Sequence, residues 1–80
     1  MKIPAIKKLV QQYDEATLAA AEQALENGEA LNIEVEGEDE GEQLTHIIAA
    51  RWILDKMNKE GMDFTSAMRA YAQMVRNSIS

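Results

Sequence analysis

The chain has no cysteine, a single histidine and a single proline in 80 residues. Without cysteine there is neither a disulfide framework nor a thiolate metal site. One histidine is too few for a transition-metal centre built on several nitrogen ligands. Long apolar runs are also missing. A membrane-spanning helix needs about 20 mostly apolar residues, and the least polar stretch, Leu44 to Leu54, is half that. No apolar run follows the early lysines, so a secretory leader is not expected. Positive charge is scarce as well: 8 lysines and arginines stand against 14 acids, for a net charge of −6. Nucleic-acid phosphates demand positive charge, so no nucleic-acid partner is expected. What is left is one small soluble domain over residues 1–80, expected in the cytoplasm and off the membrane.

Size sets a second bound. A chain this short buries only about 60–65% of the surface its unfolded form exposes. A core of this size rarely supplies more than about 3–5 kcal/mol without a disulfide or a metal. Oligomerisation is a natural way to complete the burial.

The charges are segregated. Residues 1–8 carry Lys2, Lys7 and Lys8 and no acid. Residues 9–50 carry eleven acids and no lysine or arginine, and the remainder is mildly basic. The plainest reading is a solvated acidic surface whose charge is partly neutralised by the two ends of the chain.

Hydrophobic spacing then places the helices. Pro4 suits a first helical turn, where its missing N–H costs nothing. Ile6, Leu9, Val10 and Tyr13 fall on one helical face. Asp14 reads as the N-cap of a second helix over Ala16 to Glu26, with Glu15 in its first turn. Leu18, Ala21 and Leu25 form its apolar stripe, and Asn27-Gly28 is a stop signal. Its many alanines reflect helix propensity or the close approach of another helix.

Leu31-Asn32-Ile33-Glu34-Val35-Glu36 alternates apolar and polar residues, as a half-buried strand does. A strand's backbone groups must be paired, and no second strand is available. The segment is therefore an extended stretch laid over the helices, or it pairs with another chain. Antiparallel pairing with its own copy would give a two-fold dimer.

An acidic turn, Gly37 to Glu42, leads into a third helix expected from about Glu42 to Lys59 and closed by Gly61. Ile47, Ala50, Ile53, Leu54 and Met57 share one face, and Leu44, Ile48 and Trp52 form a second stripe. A helix apolar nearly all round is a central element or half of an interface. The last helix starts near Asp63 or Thr65. Phe64, Ala67, Met68, Tyr71, Met74, Val75 and Ile79 cover one face of it, and Thr65, Arg69, Gln73 and Arg76 the other. The methionines on these two helices read as core more readily than as an adaptable binding surface.

Chemistry-bearing constellations are few. Glu38, Glu42 and His46 are spaced i, i+4 and i+8. Together with Asp39 they are the one set that could ligate a divalent cation, although the order does not follow the EF-hand pattern. The plain alternative is that His46 borders the core and hydrogen-bonds Glu42. No cofactor is implied. Ser66, Ser78 and Ser80 lack any signature placing a base beside them, and no glycine-rich phosphate loop is present, so enzymatic activity is not expected. Lys2, Lys7 and Lys8 beside Ile3, Ile6, Leu9 and Val10 form at most a very short interfacial anchor, which the acidic remainder would push away from anionic lipid.

The acidic turn running from Ile33 through Thr45-His46, the opening Lys2 to Val10 and the closing Val75 to Ser80 resemble a family of short acidic bacterial proteins of unknown function. The resemblance covers nearly the whole chain. It implies a stand-alone intracellular protein and assigns no activity or functional residue.

The expected fold is thus mostly α, with two short N-terminal helices, two longer C-terminal helices and one extended or strand segment at 31–36. The expected function is that of a non-enzymatic interaction or accessory protein that self-associates as a homodimer or docks onto a larger assembly. It would use Leu31, Ile33 and Val35 as a pairing edge and Leu44, Ile48 and Trp52 as an apolar anchor. The alternatives are a cation-binding module on Glu38, Asp39, Glu42 and His46, and an acidic protein that blocks a basic partner surface.

Overall fold

A computed structural model describes residues 2–79, with side chains through Ser78. The side chain of Ile79, expected on the apolar face of the last helix, and Ser80 lie outside the described residues. Four helices follow in order: α1 (Ile3–Gln12), α2 (Glu15–Glu26), α3 (Glu40–Glu60) and α4 (Phe64–Ile79). No strand forms among the described residues. The mostly α, four-helix reading holds.

The caps explain why the helices begin and end where they do. Asp14, Asp39 and Asp63 each stand one residue before a helix. Each accepts a 2.8 Å hydrogen bond from the backbone N–H three residues on, at Thr17, Glu42 and Ser66 respectively. These bonds satisfy N–H groups that the first turn leaves unpaired. Asp39 caps earlier than the spacing of apolar residues suggested, so α3 starts at Glu40 and takes the acidic turn into its own first turn. At the other end of α2, Gly28 has φ +73°, and Glu29 N–H donates to the Ala24 carbonyl while Gly28 N–H donates to that of Leu25. This paired closure needs a left-handed residue at the glycine. Gly61, with φ +66°, closes α3 in the same region.

Two of these caps carry a pH signature. The Thr17 hydroxyl and N–H hold the Asp14 carboxyl below its ordinary value of 3.8. The Ser66 N–H and hydroxyl do the same for Asp63. A carboxyl lowered in the folded state contributes stability above the unfolded value and loses it as pH falls through the folded value. Asparagine caps without charge. The double variant Asp14→Asn/Asp63→Asn is expected to melt near the wild-type temperature at pH 7. Between pH 5 and pH 2 it should lose less of that temperature than the wild type does. Circular-dichroism melts across this range check it, and equal losses would contradict it.

Packing is organised around α3, which touches α1, α2 and α4. Ile6 and Leu9 of α1, Leu18 of α2, Ile47 and Ile53 of α3, and Ala67 and Tyr71 of α4 belong to one buried cluster. A helix apolar on most of its circumference can be satisfied only by neighbours on several sides. Here three neighbours supply them, and α3 is the central element. Cross-links at the rim add to this. Arg51 of α3 pairs with Glu22 of α2 at 2.6 Å. The Trp52 and Tyr71 rings meet at 5.6 Å with a 57° tilt. The Lys7 ammonium lies 5.8 Å over the Phe64 ring, tying α1 to α4. No helix among the described residues is long and apolar enough to cross a membrane.

The segment 31–36 keeps its alternation but not a strand's hydrogen bonds. Val35 is buried and Leu31 and Ile33 are half-buried against the core, while Asn32, Glu34 and Glu36 face outward. Its inner side is closed by the start of α3. Gln43 Nε2 donates to the Val35 carbonyl at 3.0 Å, and the Glu36 carbonyl is bonded to His46. Gly37 makes the approach possible, because a side chain there would bring its Cβ within 2.9 Å of the Gln43 backbone nitrogen. The strand-pairing edge expected of Leu31, Ile33 and Val35 is therefore corrected. These side chains are part of the chain's own core, and side chains of α3 take up two of the segment's carbonyls, those of Val35 and Glu36.

Candidate functional site

Two places gather polar groups around apolar side chains. The first is His46. It is fully buried, the one polar residue in the core among the described residues. Its Nδ1 lies 2.8 Å from the Glu36 carbonyl oxygen, and its Nε2 accepts from the Lys2 backbone N–H at 3.0 Å. A carbonyl only accepts and a backbone N–H only donates. The partners therefore fix the neutral ring with its proton on Nδ1. The ring joins three separate pieces of chain: the cap of α1, the loop before α3, and α3 itself.

This placement takes His46 out of the expected cation set. His46 faces inward with both nitrogens occupied. It does not bond Glu42, as the spacing suggested. Glu42 Oε1 instead accepts from the Glu38 N–H at 3.1 Å, and Asp39 Oδ1 caps α3. Glu38 contributes its backbone. The four residues are neighbours along the turn but do not point at a common centre. Among the described residues no group of three or more acidic or histidine side chains is placed to hold a metal ion. Capping accounts for the Asp39 and Glu42 side chains of this turn.

The second place is a cleft of about 400 Å³ between α2 and α3, lined by Glu15, Glu22, Ile48, Arg51, Trp52 and Asp55. The four α3 residues fall at i, i+3, i+4 and i+7, one face of that helix. Ile48 is 40% exposed, one of the few large apolar side chains left in the open. Trp52 is half-buried, with Tyr71 against it and the Lys56 ammonium 5.2 Å over its ring. Of the expected anchor stripe, Ile48 and Trp52 meet in this cleft, while Leu44 is half-buried outside its lining.

The cleft's charged groups are mostly paired. Arg51 bonds Glu22 at 2.6 Å, and Lys59 bonds Asp55 at 3.0 Å. Lys56 reaches Glu60 at 2.6 Å. Glu15 is different: its Oε1 is buried and has no hydrogen-bond donor. The sequence signal for these walls was the helical spacing of Ile48, Arg51, Trp52 and Asp55, with Glu15 and Glu22 two turns apart on α2. It was hidden because the two stripes come together only when α2 docks on α3. A shallower groove of about 310 Å³ runs along the alanines of α2 to Asn32 and Ile33.

The geometry defines a small all-α domain with a buried histidine bridge and one mixed apolar and acidic cleft. The chain belongs to a family of unknown function, DUF6952, whose model matches residues 1–80. No curated protein matches it, and no solved structure does.

Proposed function

We propose that the chain is a non-enzymatic interaction protein whose docking face is the cleft between α2 and α3. The observation that carries this reading is Ile48, 40% exposed on the central helix and adjoining the half-buried Trp52. Burying such a side chain is favourable, and a tryptophan at the centre of a contact commonly dominates its energy. The original anchor thus narrows to Ile48 and Trp52. The absence of cysteine fits a reducing compartment such as the cytoplasm, and the acidic composition fits docking onto a partner of opposite charge.

Ile48→Asp tests this. The substitution puts a charge on the exposed side of α3 and outside the buried core, so the chain is expected to stay folded, with a melting temperature within about 8 °C of wild type. Capture of specific partners by the tagged chain from its native cells, read by quantitative mass spectrometry, is expected to fall at least tenfold. A dimer seen by sedimentation in the wild type and lost in the variant would give self-association as the mode. Equal capture and equal sedimentation would contradict the docking face.

A further inference from the structure

The occupant of the cleft can be read from its charge. Three carboxylates line it: Glu15, Glu22 and Asp55. Arg51 is committed to Glu22, and Lys59 to Asp55. The Lys59 amine is raised above its ordinary value first by its hydrogen bond to Asp55, then by that residue's charge, and least of all by Glu15. Lys56 is spent on Glu60 and the Trp52 ring. Each of these cations thus already has a carboxylate partner, and one shielded carboxylate oxygen, Glu15 Oε1, has no donor. Glu15 is also the first residue of α2, where the helix dipole favours a negative charge. The lining sets three carboxylates against a single cation, Arg51. Ile48 and Trp52 supply the apolar part of the same lining.

We propose that the cleft receives one cationic side chain, an arginine or lysine of a basic polypeptide partner, with its aliphatic stem on Ile48 and Trp52 and its charged head on Glu15. The inference rests on the docking face argued above and names its partner class. Long cationic side chains match this surface because they pair an apolar stem with a charged tip. A polypeptide fits better than a free amine, because the cleft is open on one side and residues flanking the cation would cover the exposed Ile48. A second copy fits less well, since two chains of net charge −6 repel.

The test is an NMR titration of the labelled full chain with three tripeptide amides: acetyl-Ala-Arg-Ala, its lysine counterpart and its neutral citrulline counterpart. The arginine or lysine peptide is expected to give saturable shifts at the Ile48 methyls and the Trp52 indole N–H. Citrulline should bind at least fivefold more weakly. Glu15→Gln is expected to reduce the cationic peptides to the citrulline level, while Asp55→Asn retains most of the binding. Citrulline equal to arginine on the wild-type chain would overturn the proposal, with no need for any variant to fold. So would unchanged binding by Glu15→Gln, or shifts spread over the whole acidic surface that vanish at 0.3 M salt, since an exposed charge pair alone is screened at that strength. Concentration-dependent dimerisation abolished by Glu15→Gln would assign the cleft to a second copy and overturn the basic partner. The two readings fail separately. If Ile48→Asp loses its partner yet citrulline equals arginine, the docking face stands and the cationic occupant falls.

Discussion

His46→Ala is expected to destabilise the folded chain by about 2–4 kcal/mol, a large share of what a core of this size supplies. Two costs combine. The ring is fully buried, so its removal leaves a cavity in the interior. The Glu36 carbonyl and the Lys2 N–H each lose a partner, and groups left unsatisfied cost more than an average hydrogen bond contributes. His46→Asn separates the terms. Its amide can replace Nδ1 as donor to Glu36 but cannot reach Lys2, so about half of the loss should be recovered. Urea unfolding followed by the single tryptophan measures both variants. Amide exchange at Lys2 supplies an independent sign, since it should accelerate in both variants. A loss below about 1 kcal/mol in the alanine variant would mean that the ring does not bridge the three segments.

Ile53→Ala is expected to cost about 3 kcal/mol, within the range found for buried isoleucine truncation. Ile53 has no exposed surface and belongs to the core cluster that all four helices share. Ile48→Ala, five residues away, removes a side chain that is 40% exposed and should cost under about 1 kcal/mol. The contrast is informative because the two isoleucines are chemically identical and sit on the same helix. Only their orientation differs. Thermal melts of both variants check it, and similar losses would show that α3 is rotated from the orientation described.

Much of this architecture was legible in the residues. Aspartates before apolar periodic stretches marked α2 and α4, and Gly28 and Gly61 marked the ends of α2 and α3, because capping is a local interaction that needs only nearby backbone. The buried face of α1 was equally plain from Ile6, Leu9 and Val10. The segment 31–36 shows where local reading stops. Its alternation correctly gave the inward set Leu31, Ile33 and Val35, since pattern reports burial. It could not say which groups would take the segment's carbonyls, since those lie on α3, on the Gln43 and His46 side chains. His46 shows the same limit. Spacing offered Glu42 one turn earlier, but the ring turned inward to partners 10 and 44 residues away. The cleft was half visible: Ile48 and Trp52 came from the α3 stripe, whereas Glu15 joins them only through helix packing.

The central claim is that α3 leaves one face for a partner, and that Ile48 lies in it. A photo-crosslinking amino acid placed at position 48 in the native cell measures this directly, with the exposed Gln73 of α4 as the control position. Discrete adducts of defined mass from position 48, absent from position 73, are expected. Adducts from position 73 alone, or none above background at position 48, would contradict it.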